Sequence, residues 1–76
     1  MEQFEGDHIS VRIESRNRIR IRNKDNICSA TIAYNQTKFG AAKICNLFMD
    51  SVVKEMTFEN ALNFFERHNI KMFVSG

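Results

Sequence analysis

Arg12-Ile13-Glu14-Ser15-Arg16-Asn17-Arg18-Ile19-Arg20-Ile21-Arg22-Asn23-Lys24 lays six basic residues and one acidic residue over an alternation of apolar and polar side chains. A period of two belongs to a strand with one buried face and one wet face. Ile19 and Ile21 therefore claim a core face, and Arg18, Arg20 and Arg22 share the opposite one. Upstream, Ile9, Val11 and Ile13 alternate with Ser10, Arg12 and Glu14. Downstream, residues 27–34 hold several β-branched or aromatic positions. Three antiparallel strands joined by tight turns satisfy all three segments.

Register follows from matching the faces. A two-residue turn at Asp25-Asn26 sets Ile21 opposite Ala30 and Ile19 opposite Ile32, and brings Cys28, Ala30, Ile32 and Tyr34 to the buried face. Short polar side chains suit such a turn because they tolerate positive φ. A two-residue turn at Arg16-Asn17 would face Ile13 with Arg20 and mix the faces. A three-residue loop over 16–18 restores the match, with Ile13 opposite Ile21, Glu14 opposite Arg20 and Arg12 opposite Arg22. Of the two charged pairs, the first is attractive and the second repulsive.

After Tyr34 the period changes. Ala41, Ile44, Cys45, Phe48, Val52 and Met56 recur at three and four, which predicts a helix of roughly four turns with a broad apolar face. Asn35 or Thr37 is placed to cap it. Thr57 is the expected cap of a second helix carrying Phe58, Ala61, Leu62 and Phe65 on one side. Asn69 stands where a left-handed residue would end that helix. Ile70, Met72 and Val74 then resume the alternation of a short final strand. The expected fold is α+β: a small antiparallel sheet in the order β-β-β-α-α-β, with two helices packed on one face. Residues 1–7 read as a flexible acidic lead, and residues 8–76 as a single compact domain.

The composition agrees with a folded domain. The chain has 76 residues, 43% of them apolar, with seven Phe and four Met. That length lies near the lower limit for an unstapled core, so self-association would widen a thin margin. The net charge of +2 conceals an uneven distribution. Glu2, Glu5 and Asp7 lead, the basic run follows, and the remainder is balanced. A patch of this kind steers an anionic partner, yet the whole is no polycation. Cys28 and Cys45 are too few for a disulfide framework in a short secreted chain. Neither a signal peptide nor a membrane-length apolar run is visible. The Asn35-Gln36-Thr37 sequon matters only in a secretory setting. A cytoplasmic protein without membrane contact is expected.

Chemistry-bearing patterns are few. Arg12, Arg18, Arg20 and Arg22, with Lys24 beyond them, form the candidate contact surface, and Ser29 and Thr31 share its plane. Guanidinium forks match carboxylate and phosphate oxygens in pairs. No aromatic residue is expected on that face, so the stacking platform of a single-strand binder is missing. His8, Cys28, Cys45 and His68 stand far apart, without the close ligand pair that seeds a zinc site. Neither thiol has an evident base beside it, and no paired carboxylates or phosphate-cradling glycines occur. Phe39, Phe64 and Phe73 exceed what one layer of core hides and mark a candidate apolar interface. Phe73 is out of phase with Ile70, Met72 and Val74. The reading is a non-enzymatic regulator or inhibitor that binds an acidic protein surface, with no cofactor and no metal. A nucleic-acid-binding protein using the same arginines is the alternative, and a homodimer is allowed by the surplus aromatics.

Overall fold

A computed structural model of the chain describes residues 3–15, 18–33, 46 and 52–76. Among the described residues five strands form one antiparallel sheet in the spatial order β1-β2-β3-β4-β5. They are β1 (Gln3–Glu5), β2 (Ile9–Ser15), β3 (Arg18–Asn23), β4 (Cys28–Ala33) and β5 (Met72–Ser75). Between β4 and β5 the described residues include helical Asn46, a single helical turn, α1 (Val52–Glu55), and a ten-residue helix, α2 (Phe58–Arg67). Among the described residues no helix is long and apolar enough to cross a membrane.

The central alternation behaves as the pattern requires. Ile9, Val11, Ile19, Ile21, Ala30 and Ile32 are fully buried, and they cluster with Val53, Phe58, Ala61, Phe65 and Ile70. The β3–β4 register sets Ile21 opposite Ala30 and Ile19 opposite Ile32, as expected, but the ladder ends at Asn23 opposite Cys28, so the turn spans residues 24–27 rather than Asp25-Asn26 alone. That turn is made by side chains as well as backbone. Asn23 Oδ1 accepts from Asp25 N at 3.0 Å, and Asn26 Oδ1 accepts from Ile27 N at 2.7 Å.

The β2–β3 register differs from the expectation by two residues. Ile13 lies opposite Ile19 rather than Ile21, and Arg12 lies opposite Arg20 rather than Arg22. The hairpin closes with Ser15 opposite Arg18, and the ladder shifts between Ile13 and Ser15. A two-residue connection at 16–17 therefore does not mix the faces. A bulge absorbs one extra residue and returns the isoleucines to the core side. A second difference concerns the amino-terminal lead. Gln3–Glu5 forms an edge strand on β2, with Phe4 opposite Val11 and packed against the core.

α2 carries its own start and stop. Thr57 caps it by accepting from Asn60 N at 3.2 Å, and Glu59 in the first turn and Arg67 in the last complement the helix dipole. At the other end Asn69 adopts φ 58°. Asn69 N donates to Glu66 O at 3.0 Å and Ile70 N to Phe65 O at 2.9 Å. These two bonds form a Schellman ending, with Ile70 folded back into the core beside Phe65. Most of the helix expected from Ala41 to Met56, its Asn35 or Thr37 cap, Tyr34 and Cys45 lie outside the described residues. Of its expected span the described residues include α1, where Val53 is buried. The final strand departs from the alternation at one point. Met72 is half-buried, but Val74 is 53% exposed.

The β1–β2 turn is held against α1. Gly6 N donates to Ile9 O at 2.8 Å and Asp7 N to Lys54 O at 2.7 Å. A Cβ on Gly6 would stand 2.9 Å from the Val53 carbonyl oxygen and 3.2 Å from that of Lys54. Two substitutions test this packing by urea denaturation. Ile21→Ala is expected to cost about 2–5 kcal/mol through a cavity at the sheet centre. Gly6→Ala is expected to cost about 1–3 kcal/mol, since backbone must move to admit the methyl group.

Candidate functional site

The four ladders place the polar side chains of all five strands on one open face. One cross-strand row runs Gln3, Arg12, Arg20, Thr31, Phe73. The next runs Glu5, Ser10, Arg22, Ser29, Ser75. Arg18 sits beyond the first row, between Ser15 and Ala33. Neighbouring strands lie about 5 Å apart and alternate residues along a strand roughly 7 Å apart. The rows therefore fix where each guanidinium stem begins. The twisted sheet forms a shallow open basin of about 840 Å³ here, with Arg12, Arg20 and Arg22 in its wall.

All four strand-borne arginines are exposed, as the alternation requires, but they are not equivalent. Arg20 Nε lies 3.0 Å from Glu14 Oε1, a charge contact that lacks hydrogen-bond alignment. Glu14 reaches it from the bulge, so the expected Glu14–Arg20 attraction exists although the register behind it is different. The side chains of Arg12, Arg18 and Arg22 make no close ion pair with any described residue. Arg12 also stands directly opposite Arg20, a like-charge pair that a sheet tolerates only with compensation.

Lys24 is bonded within the fold. Its Nζ donates to Glu5 Oε2 at 3.1 Å and to the Gly6 carbonyl at 3.1 Å. Gln3 Nε2 donates to Glu5 Oε1 at 2.7 Å. The Gln3 bond first, and the Lys24 bond next, hold the Glu5 carboxyl below its usual pKa. A lowered carboxylate pKa adds stability above the ordinary range, which is lost as pH falls through the lowered value. Nearby, Lys24 N donates to His8 O at 2.8 Å, and His8 Nδ1 lies 2.8 Å from Asp25 Oδ2. Lys24, His8 and Asp25 thus tie the β3–β4 turn to the β1–β2 turn.

The three aromatic candidates separate. Phe39 lies outside the described residues. Phe64 is half-buried, edge-to-face with Phe65 at 5.3 Å and tilted against His68 at 4.6 Å. Phe73 is 61% exposed. Its pairing with Thr31 brings it into the Arg12–Arg20 row, which corrects the expectation that the arginine face holds no aromatic. Ser10 and Ser75, which flank Arg22 and Ser29, were not expected in the site. The phase of Ser10, two residues before Arg12, carries that signal, whereas Ser75 depends on a pairing distant in sequence. Ser29 and Ser75 hydroxyls meet at 3.3 Å. Among the described residues no three His, Cys, Asp or Glu side chains converge to hold a metal ion. Cys28 is half-buried against the core. The chain matches no family model, no curated protein and no solved structure.

The Arg12–Arg20 opposition makes Glu14 a balancing charge. Glu14→Gln is expected to lower stability by under about 1 kcal/mol. The loss should shrink as salt screens the two arginines. Urea midpoints at low and high ionic strength check this, and an equal loss at both would exclude a charge-balancing role.

Proposed function

We propose that the protein is a small non-enzymatic regulator or inhibitor whose open sheet face docks on an acidic protein surface. The observation that carries this reading is a set of exposed guanidiniums, on Arg12, Arg18 and Arg22, without close acidic partners among the described residues. The hydrogen-bonded strands hold their stems in place, so less conformational freedom is lost on contact. Phe73 in the same row supplies an apolar anchor, and aromatic and arginine side chains carry much of the energy of protein interfaces. Ser10, Ser29 and Thr31 add hydroxyls for the rim.

Glu5 and Glu14 on the same face favour a protein over a polyanion. Each would stand against a phosphate backbone, whereas a protein surface with mixed charge can match them. Nucleic acid bound through the same arginines is the competing reading, and the place of Phe73 beside them favours it. One exposed aromatic is a smaller platform than single-strand binders use. In the same proposal, β1 and residues 8–76 act as one domain in the cytoplasm, and the helix expected over 41–56 joins α2 on the core face, leaving the arginine face open.

Replacing Arg12, Arg18 and Arg22 together with Ser is the direct test. Exposed charges contribute only tenths of a kcal/mol each, so the thermal midpoint should hardly move. Affinity for partners captured with and without nuclease should fall at least about tenfold, or ~1.4 kcal/mol. Titration at two salt concentrations separates the readings. Steep salt dependence and loss of binding to all nucleic-acid sequences alike would favour the phosphate reading. Unchanged affinity for every partner would return the arginines to a solvating role.

A further inference from the structure

Among the described residues β5 is an edge strand, paired with β4 on one side only. Natural sheets blunt such edges with charges, proline or very short strands. β1, at the other edge, has only three residues, and Glu5 and Lys24 place charges beside it. β5, at four residues, is also short, but it carries neither charge nor proline. Met72–Ser75 contains no charged residue, and both of its central side chains are exposed, Phe73 by 61% and Val74 by 53%. Phe73 emerges on the arginine face and Val74 on the core face, so apolar surface is open on both sides of one edge.

We infer that β5 pairs antiparallel with β5 of a second copy of this chain, giving a continuous sheet across a twofold axis. Residues directly opposite in an antiparallel pair point to the same side. A twofold axis normal to the sheet keeps the two arginine faces together and therefore requires each residue to meet one of its own parity. Centred on Phe73, this register sets Phe73 opposite the partner's Phe73. It also sets Met72 opposite the partner's Val74. Aromatic meets aromatic on the open face, and the exposed Val74 is covered by an apolar side chain on the core face. Centring on Val74 would instead oppose Phe73 to the partner's Ser75, which pairs a ring with a hydroxyl. The strand is complementary to itself in the first register.

The dimer joins two copies of the Gln3, Arg12, Arg20, Thr31, Phe73 row end to end, with the two phenylalanines at the centre. It does not depend on what the arginines bind. The contact is short, so a monomer–dimer equilibrium that follows concentration is expected rather than a permanent dimer.

Sedimentation equilibrium over a concentration series tests the association in the intact chain. The wild type should move toward twice the single-chain mass as concentration rises. Phe73→Lys and Val74→Lys should each abolish that rise while leaving the circular dichroism spectrum unchanged. Phe73→Cys supplies a test that needs gain rather than loss. At the twofold axis the two Cα atoms lie within disulfide range. Mild oxidation should yield a covalent dimer beyond any formed by the wild type with its native thiols, and Val74→Cys should not. A single-chain mass at every concentration would overturn the proposal. So would a dimer that survives both lysine substitutions, or cross-linking through Val74→Cys in place of Phe73→Cys.

Discussion

Ile19 and Ile21 have no solvent exposure, and they sit on the middle strand of the sheet, with β2 on one side and β4 on the other. Their burial decides what the open face looks like. A slip of one residue in β3 would carry Arg18, Arg20 and Arg22 under α2 and send both isoleucines into water. An unpaired charge in such a core costs several kcal/mol, so the alternative is closed. The arginines inherit their spacing from the packing behind them. Little of their own interaction energy is needed to hold it.

The open face is basic without being uniformly so. Arg12 and Arg20 are pressed together by the β2–β3 register, and the bulge that creates this register also delivers Glu14 to Arg20. Glu5 is engaged by Gln3 and Lys24 at the end of β1. What remains outward is a patterned surface in which guanidiniums without close acidic partners among the described residues alternate with hydroxyls and with carboxylates already in use. A surface of that kind discriminates among anionic partners by shape and charge order, not by total charge.

How far the chain could be read depended on the range of the interaction behind each feature. The β3–β4 hairpin was legible because Asp25-Asn26 and two strict alternations agree on one register. The alternation also placed Arg12, Arg18, Arg20 and Arg22 on one side. The β2–β3 register was not legible, because a bulge changes the count without changing the faces, and no local residue type announces it. β1 carries a single apolar residue, Phe4, too little for a period to show. Thr57 and Asn69 marked the ends of α2 because capping is chemistry within one turn. Phe73 was seen to oppose Met72 and Val74 in phase. Its arrival beside the arginines needed the β4–β5 pairing, which joins segments on either side of the helices.

That last pairing gives the sheet two kinds of edge history. β1 to β4 follow one another through short connections, so each strand meets its neighbour with little loop entropy to overcome. β5 reaches β4 only after α1 and α2 have been added. On a ribosome, β4 is therefore a temporary margin of the sheet, and Cys28–Ala33 carries no charge to guard it. Its alternating Ala30 and Ile32 wait for a helix and a strand that have not yet been synthesised. The nascent chain is most open to sticking to its neighbours along a strand that lies inside the finished sheet.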